Sequence, residues 1–327
     1  MFDRFCTRRK WFLAIVAGAL GTLTAAQAAY AQGGTWTPLA PVSPAPAEGM
    51  TVGGVGQVIV AAYGFSPVPG NTNQTRLYNI NTDSWSTGAA APMPVRADAA
   101  SGDTTHGGFL YVIGGGNSGV ALFDLERYDP VLDAWTTLAS MNTARAGAAA
   151  AVIDDGIFVI GGRQSTSGPC SGGPYLDTVE KYDIDTNTWS PVAPLPNQRS
   201  DMAAVAHGGK IYVFGGCSST GVTKEVDIYD PQTNTWTIGA MPMPTARASL
   251  VAGHSGDKVY AIGGTDGVSA LNVNEVYDIP SGSWSNASTT APRQEAGVNS
   301  HAGRIYVVGG ATPTYGTSTN ANEVFKP

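Results

Sequence analysis

The chain predicts an all-β fold of six repeated sheets, a six-bladed β-propeller. Three observations carry this. Short apolar strands end on glycine pairs: LYVI before Gly114-Gly115, IFVI before Gly161-Gly162, IYVF before Gly215-Gly216, VYAI before Gly263-Gly264 and IYVV before Gly309-Gly310. Tyr78, Tyr128, Tyr182, Tyr229 and Tyr277 each stand seven residues before a tryptophan, at Trp85, Trp135, Trp189, Trp236 and Trp284. The marks recur every 47 to 54 residues, enough for one four-stranded sheet per unit. With 42 glycines and 21 prolines in 327 residues, turns are plentiful, and no long run has helical spacing.

Residues 1–31 stand apart. Arg8, Arg9 and Lys10 precede an apolar core from Trp11 to Leu23, and the small-residue sites Ala26-Gln27-Ala28 and Ala29-Tyr30-Ala31 follow. Basic, apolar, then A-x-A predicts a secretory signal peptide, and Thr7 to Leu13 also resembles the twin-arginine export motif. The expected location is therefore the periplasm or the extracellular space. Past the leader no apolar stretch is long enough to span a bilayer. Without it the chain keeps 14 basic and 24 acidic residues, which argues against nucleic acid as a partner.

The propeller is expected over residues 32–327. Thr35-Trp36-Thr37-Pro38-Leu39 reads as the end of a unit without its beginning, and Asn322 to Pro327 as a third strand that stops before its tryptophan. Joining them completes a sixth unit and closes the ring, which removes exposed sheet edges. The first full unit is the weakest, because Gln57 to Ala62 lacks a clean glycine pair, but Tyr78 and Trp85 keep its register. First strands are small-residue runs such as Ala146 to Ala151 and Ala203 to Ala206, as crowding at a propeller axis demands. Asp185 to Thr188 and Gln232 to Thr235 are turns by residue type.

Gly-Gly after an apolar strand, Tyr, Trp at a fixed offset and Arg before the next small-residue strand resemble kelch repeats. The resemblance spans Thr35 to Pro327 and implies fold more than function, since such propellers bind, scaffold and catalyse.

Strand alternation puts the loops between second and third strands on the same face as the connections between blades. Arg96, Arg145, Arg199, Arg247 and Arg293 follow the preceding tryptophan by nine to eleven residues, at the start of the inner strands. In kelch domains that this chain resembles, such arginines line the channel mouth and meet acidic ligands, for which guanidinium is suited. The competing expectation is internal neutralisation: Asp98, Asp201 and Glu295 lie two residues after Arg96, Arg199 and Arg293, and Glu48 holds the sixth position. Glu126, Glu180, Asp227, Glu275 and Glu323, each two before the third-strand aromatic, recur with the unit and read as structural.

Two functional expectations follow. One is a non-catalytic module that holds a protein, glycan or acidic ligand at this mouth. The other rests on resemblance to periplasmic six-bladed sialic-acid epimerases, with Glu295 or Asp201 as base. A structural surface module is a third.

His106, His207, His254 and His301 are expected at the opposite turns, one per blade and far apart. The clustered His, Tyr and Cys of copper-oxidase propellers are not visible, so neither metal nor other cofactor is expected. Cys6 falls in the leader, and Cys170 and Cys217 fall in loops of adjacent blades on one face. Two thiols in an exported chain predict a disulfide. Tyr63, Phe65, Tyr175 and Tyr315 stand in or beside polar loops of the same face and are candidate contacts. The expected assembly is a monomer.

Overall fold

Short alternating strands separated by Gly, Asn and Asp turns give each repeat one antiparallel sheet. The computed structural model describes residues 33–67, 70–165, 170, 173–312 and 317–327; the predicted leader and Tyr315 lie outside them. Blade 1 runs through Thr51–Val55, Val58–Ala62, Thr75–Asn79 and Ser84–Thr87. Blade 2 holds Thr105–His106, Phe109–Ile113, Leu125–Asp129 and Ala134–Leu138. Blade 3 holds Ala149–Ile153, Gly156–Ile160, Val179–Asp183 and Thr188–Val192. Blade 4 holds Ala203–His207, Lys210–Phe214, Val226–Asp230 and Thr235–Thr237. Blade 5 holds Val251–Ser255, Lys258–Ile262, Asn274–Asp278 and Ser283–Asn286. Blade 6 takes Gly297–His301, Arg304–Val308 and Asn322–Lys326 from the end of the chain, and Thr35–Pro38 from its start. Trp36 pairs with Phe325 in that closing ladder.

The repeated motif is a clamp between blades. Among the described residues every tryptophan indole donates to a carbonyl of the preceding blade or its exit: Trp85 to Ala40, Trp135 to Ala89, Trp189 to Ala139, Trp236 to Ala193, Trp284 to Met241 and Trp36 to Ser288. In four blades the tyrosine hydroxyl donates to an Asp or Asn five residues on, such as Tyr128 to Asp133. That same side chain accepts a backbone N–H from the neighbouring blade, as Asp133 does from Ala89 at 2.6 Å. The bulk of the tryptophan and the hydrogen bond of the tyrosine thus serve one purpose, fixing the angle between blades.

Blade 1 departs at the glycine pair. Tyr63 occupies the first glycine position with φ of 61°, matching 62° at Gly114. A left-handed tyrosine is uncommon. Its buried hydroxyl donates to Glu126 at 2.9 Å, and its ring lies under Arg96. Tyr63 is therefore a contact between blades and not the loop-surface aromatic that the sequence suggested.

The central channel is narrow. Ser101 leaves blade 2 to bond the inner strand of blade 3, and its hydroxyl donates to Met202 of blade 4. Gly102 fits there only without a side chain, because a Cβ would lie 2.0 Å from the Ala150 carbonyl. At this level the bore, lined by Thr51, Ala100, Ala204 and Val251, is about 20 Å³, room for roughly one water. Toward the histidine end it widens into a cavity of about 340 Å³ lined by His106, Val152, Val205, His254 and Ser300. Binding chemistry is confined to the two ends.

Candidate functional site

Two concentric rings of backbone build the end of the channel that faces the connections between blades. In the inner ring each blade gives one residue in the left-handed conformation: Gly49, Asp98, Gly147, Asp201, Ser249 and Glu295, with φ between 51° and 61°. Each donates its N–H to the carbonyl of the preceding one, and Gly49 donates to Glu295, so six hydrogen bonds close a circle about the axis. Outside it, the residue following each glycine pair bridges to the residue before each inner-ring position. These outer residues are Phe65, Gly116, Arg163, Cys217, Thr265 and Ala311. The backbone of both rings repeats, but the side chains do not.

The inner ring carries acids on alternate blades, Asp98, Asp201 and Glu295. Arg163 reaches across from the outer ring, fully buried, and bonds Asp201 through Nη1 and Asp98 through Nη2, the latter at 3.2 Å. Its guanidinium lies over Gly147. A Cβ at Gly147 would sit 2.2 Å from Nη1 and 2.5 Å from Asp201 Oδ1, so the bridge requires glycine between the two acids. Burial alone would draw the Arg163 guanidinium down, but Asp201 and Asp98 outweigh it and hold it above its ordinary range. Burial pushes the Asp98 carboxyl up, Arg163 pulls it back, and Asp201 adds to the rise.

Glu295 completes the trio without such help. It is nine-tenths buried, and neither carboxylate oxygen has a hydrogen-bond partner among the described residues. Burial, then repulsion from Asp98, Glu48 and Asp201, hold its carboxyl well above the usual range, with Arg163 opposing. Four acids and one arginine therefore share the axis.

The five inter-blade arginines do not line this mouth. Arg96 pairs with Glu126 at 2.9 Å, Arg145 with Glu180 at 2.5 Å, Arg247 with Glu275 at 2.5 Å, Arg199 with Asp227 and Arg293 with Glu323. All five arginines are buried within their own blades. Neutralisation is internal, but by the third-strand acids and not by the acids two residues on. The reason is the left-handed residue: it turns Asp98, Asp201 and Glu295 toward the axis while the arginine points back into the sheet. Blade 1 departs from this. Its arginine position is held by Ala47, whose carbonyl accepts from Gly310 as that of Arg293 does from Gly264. Glu48 is therefore not the arginine's replacement but lies one residue on, bridged to Phe65, while buried Arg76 stands at the acid position. Burial draws the Arg76 guanidinium down to about 10.

Cys170 and Cys217 form the expected disulfide, with Cα atoms 5.5 Å apart. It abuts the ring, since Cys217 Sγ lies 3.4 Å from Asp201 Oδ2 and the Cys170 N–H donates to that oxygen at 3.3 Å. Beside it opens a cleft of about 570 Å³ lined by Pro174, Tyr175, Gln198, Ser218 and Gly221. Tyr175 donates its hydroxyl to the Cys170 carbonyl, leaving a neutral, polar wall.

The opposite end carries the histidines, and they are not all far apart. The His207 and His254 rings stand 6.0 Å apart, because turns of neighbouring blades converge near the axis. His106 reaches Asp155 at 3.1 Å and His207 reaches Asp257 at 2.9 Å, each on the next blade. They are links between blades.

Arg163, Gly147 and Arg76 were the residues that sequence reasoning missed. The signal for Arg163 was present: it directly follows Gly162, where other units carry Gly116, Cys217, Thr265 and Ala311.

The KLHDC2/KLHL20/DRC7 Kelch-repeats domain model matches residues 140–310, more than half of the chain, and the Kelch motif model matches residues 100–142. Human Kelch-like protein 23 is 32% identical over 137 residues, which cover 42% of this chain and 23% of that protein. Human Kelch-like protein 25 is 37% identical over 107 residues, 32% of this chain and 18% of that one. The chain thus matches less than a quarter of the length of either relative. The solved structure titled "Structure of YjhT" superposes with a TM-score of 0.74 over 86% of this chain and 95% of that chain, at 19% identity, a likeness of fold.

Proposed function

Because the chain belongs to the kelch-repeat β-propeller family, we propose that it is an exported, non-catalytic recognition module. Its partner is a protein segment held across the axial rings and the cleft beside Tyr175. The observation that carries this reading is where repetition stops. Clamps, glycine pairs and buried ion pairs recur from blade to blade, whereas the twelve ring positions vary on an invariant backbone. A scaffold has no need of that variation; a binding face does. The chemistry of the partner differs from the acidic ligand suggested by the arginines, since those are buried and paired. An acidic axis beside a neutral polar cleft favours a segment rich in hydrogen-bond donors and free of carboxylates.

A displayed peptide library and a glycan array, screened against the immobilised protein, test this. Peptide binders are expected to be lost on Ser218→Arg, which crowds the cleft, and kept on Lys210→Glu at the opposite end. Binders with the reverse dependence, or glycans alone, would sink the reading.

One observation supports a second reading, sugar epimerisation. Glu295, whose carboxyl burial pushes up, and Asp201, tied to Arg163, do share the axis, and carboxyls in unlike environments suit acid–base work. Proton exchange on N-acetylneuraminate, measured by NMR and abolished in Glu295→Gln, would favour it over recognition.

A further inference from the structure

The disulfide lies where a metal site would be built. The sulfurs of Cys170 and Cys217 and a carboxylate oxygen of Asp201 all lie within 4.8 Å of one another. We propose that in the reduced protein Cys170, Cys217 and Asp201 bind one thiophilic divalent cation such as Zn²⁺, and that this site and the disulfide exclude each other.

The surroundings of Asp201 suit a ligand. Arg163 takes Oδ1, which leaves Oδ2 turned toward the sulfurs. Ser200 Oγ donates to Oδ2 at 2.6 Å and lies 3.7 Å from Cys217 Sγ. Partners of this kind orient a carboxylate ligand and tune the metal. Charge favours the exchange as well. A divalent cation cancels the two thiolates, so the net charge around Asp98, Asp201 and their shared Arg163 stays what it is with the disulfide in place. Two buried thiolates without a cation would carry an added desolvation cost. Three protein ligands leave a fourth position open, for water or for the Ser200 hydroxyl.

The chemistry balances with a dithiol reductant. The dithiol breaks the Cys170–Cys217 bond, supplies two electrons and two protons, and closes to its own disulfide. The cation then replaces the two thiol protons, which leave to solvent. With the bond broken, the sulfurs can separate to embrace an ion at about 2.3 Å each. In the oxidised protein there is no thiolate to offer.

The test is a titration of the whole protein with Co²⁺ and Zn²⁺, after dithiol reduction and anaerobic removal of the reductant. One equivalent of Co²⁺ is expected, with a sulfur-to-metal charge-transfer band that Zn²⁺ displaces. The oxidised protein and the Cys170→Ala/Cys217→Ala variant should bind none. Asp201→Asn should weaken binding at least tenfold. Bound Zn²⁺ should also slow alkylation of both thiols. Tryptophan fluorescence and far-ultraviolet circular dichroism report whether the fold is kept. Reduced protein that binds no more metal than the double variant, that binds equally in Asp201→Asn, or that unfolds on reduction would overturn the proposal.

Discussion

Two sets of buried charge lie a few residues apart along the chain and behave in opposite ways. One is the pairing of Arg96, Arg145, Arg199, Arg247 and Arg293 with third-strand acids, and the other is the axial group of Asp98, Asp201, Glu295, Glu48 and Arg163. In the first, each blade neutralises itself, and the motif repeats. In the second, neutralisation is shared across blades and left incomplete, with Glu295 unpartnered among the described residues. The incomplete neutralisation falls at the candidate site, on the face to which the proposed recognition is assigned.

The largest effect should come from breaking the repeated set. Arg96→Ala strands the Glu126 carboxylate in the interior, with the Tyr63 hydroxyl left as its donor. Removing one partner of a buried pair costs about 3–5 kcal/mol. Urea denaturation should show that loss, and Arg163→Met at the axis should cost less, because Asp98 and Asp201 keep some exposure. Equal losses would erase the distinction between scaffold and site.

The disulfide comes next. Its cysteines are 47 residues apart, and opening such a loop costs about 2–4 kcal/mol by the chain-entropy account. Cys170→Ala/Cys217→Ala should lower the denaturation midpoint accordingly while the tryptophan clamps stay formed. A midpoint unchanged from the oxidised wild type would mean that the backbone rings alone hold this loop.

Smaller still is Gly147→Ala. The substitution puts a side chain at φ of 59° and into the path of Arg163. Strain of this kind costs about 1–3 kcal/mol. Binding at the mouth should fall with stability, because Arg163 loses its seat between Asp98 and Asp201. Gly56→Ala, at the same φ but with nothing near its Cβ, should cost stability without touching binding.

The scaffold was legible in the sequence because its physics is local. A tryptophan seven residues after a tyrosine, a glycine pair after an apolar strand and the two half-units at the chain ends settle blade count and closure. The recurrence of Glu126, Glu180, Asp227, Glu275 and Glu323 also marked them as structural. The site was not legible, because it is made of contacts between blades. Which way Asp98 points depends on a left-handed φ that its residue type does not announce. Arg163 meets Asp98 and Asp201 across 65 and 38 residues of chain. Only departures from the repeat, Cys217 and Glu48 among them, pointed to this end of the channel.

The smallest effect is also the sharpest on the axial imbalance. Glu295 holds its carboxyl above the usual range through burial and through Asp98, Glu48 and Asp201, against Arg163. Its unfolded counterpart titrates at about 4.3. Between those two pKa values the folded protein binds more protons than the unfolded chain, so stability falls as pH rises through that window. Glu295→Gln removes this contribution. Relative to the wild type, the variant should therefore gain stability steadily as pH climbs from about 4.3 upward. Glu126 and Asp227, whose carboxyls burial also pushes up, titrate in both proteins and cancel in the difference. A buried amide without partners adds an offset that does not vary with pH, so the slope of the difference is the readout. Parallel stability curves across the window would mean that Glu295 is compensated in solution, and that the axis is as balanced as the blades around it.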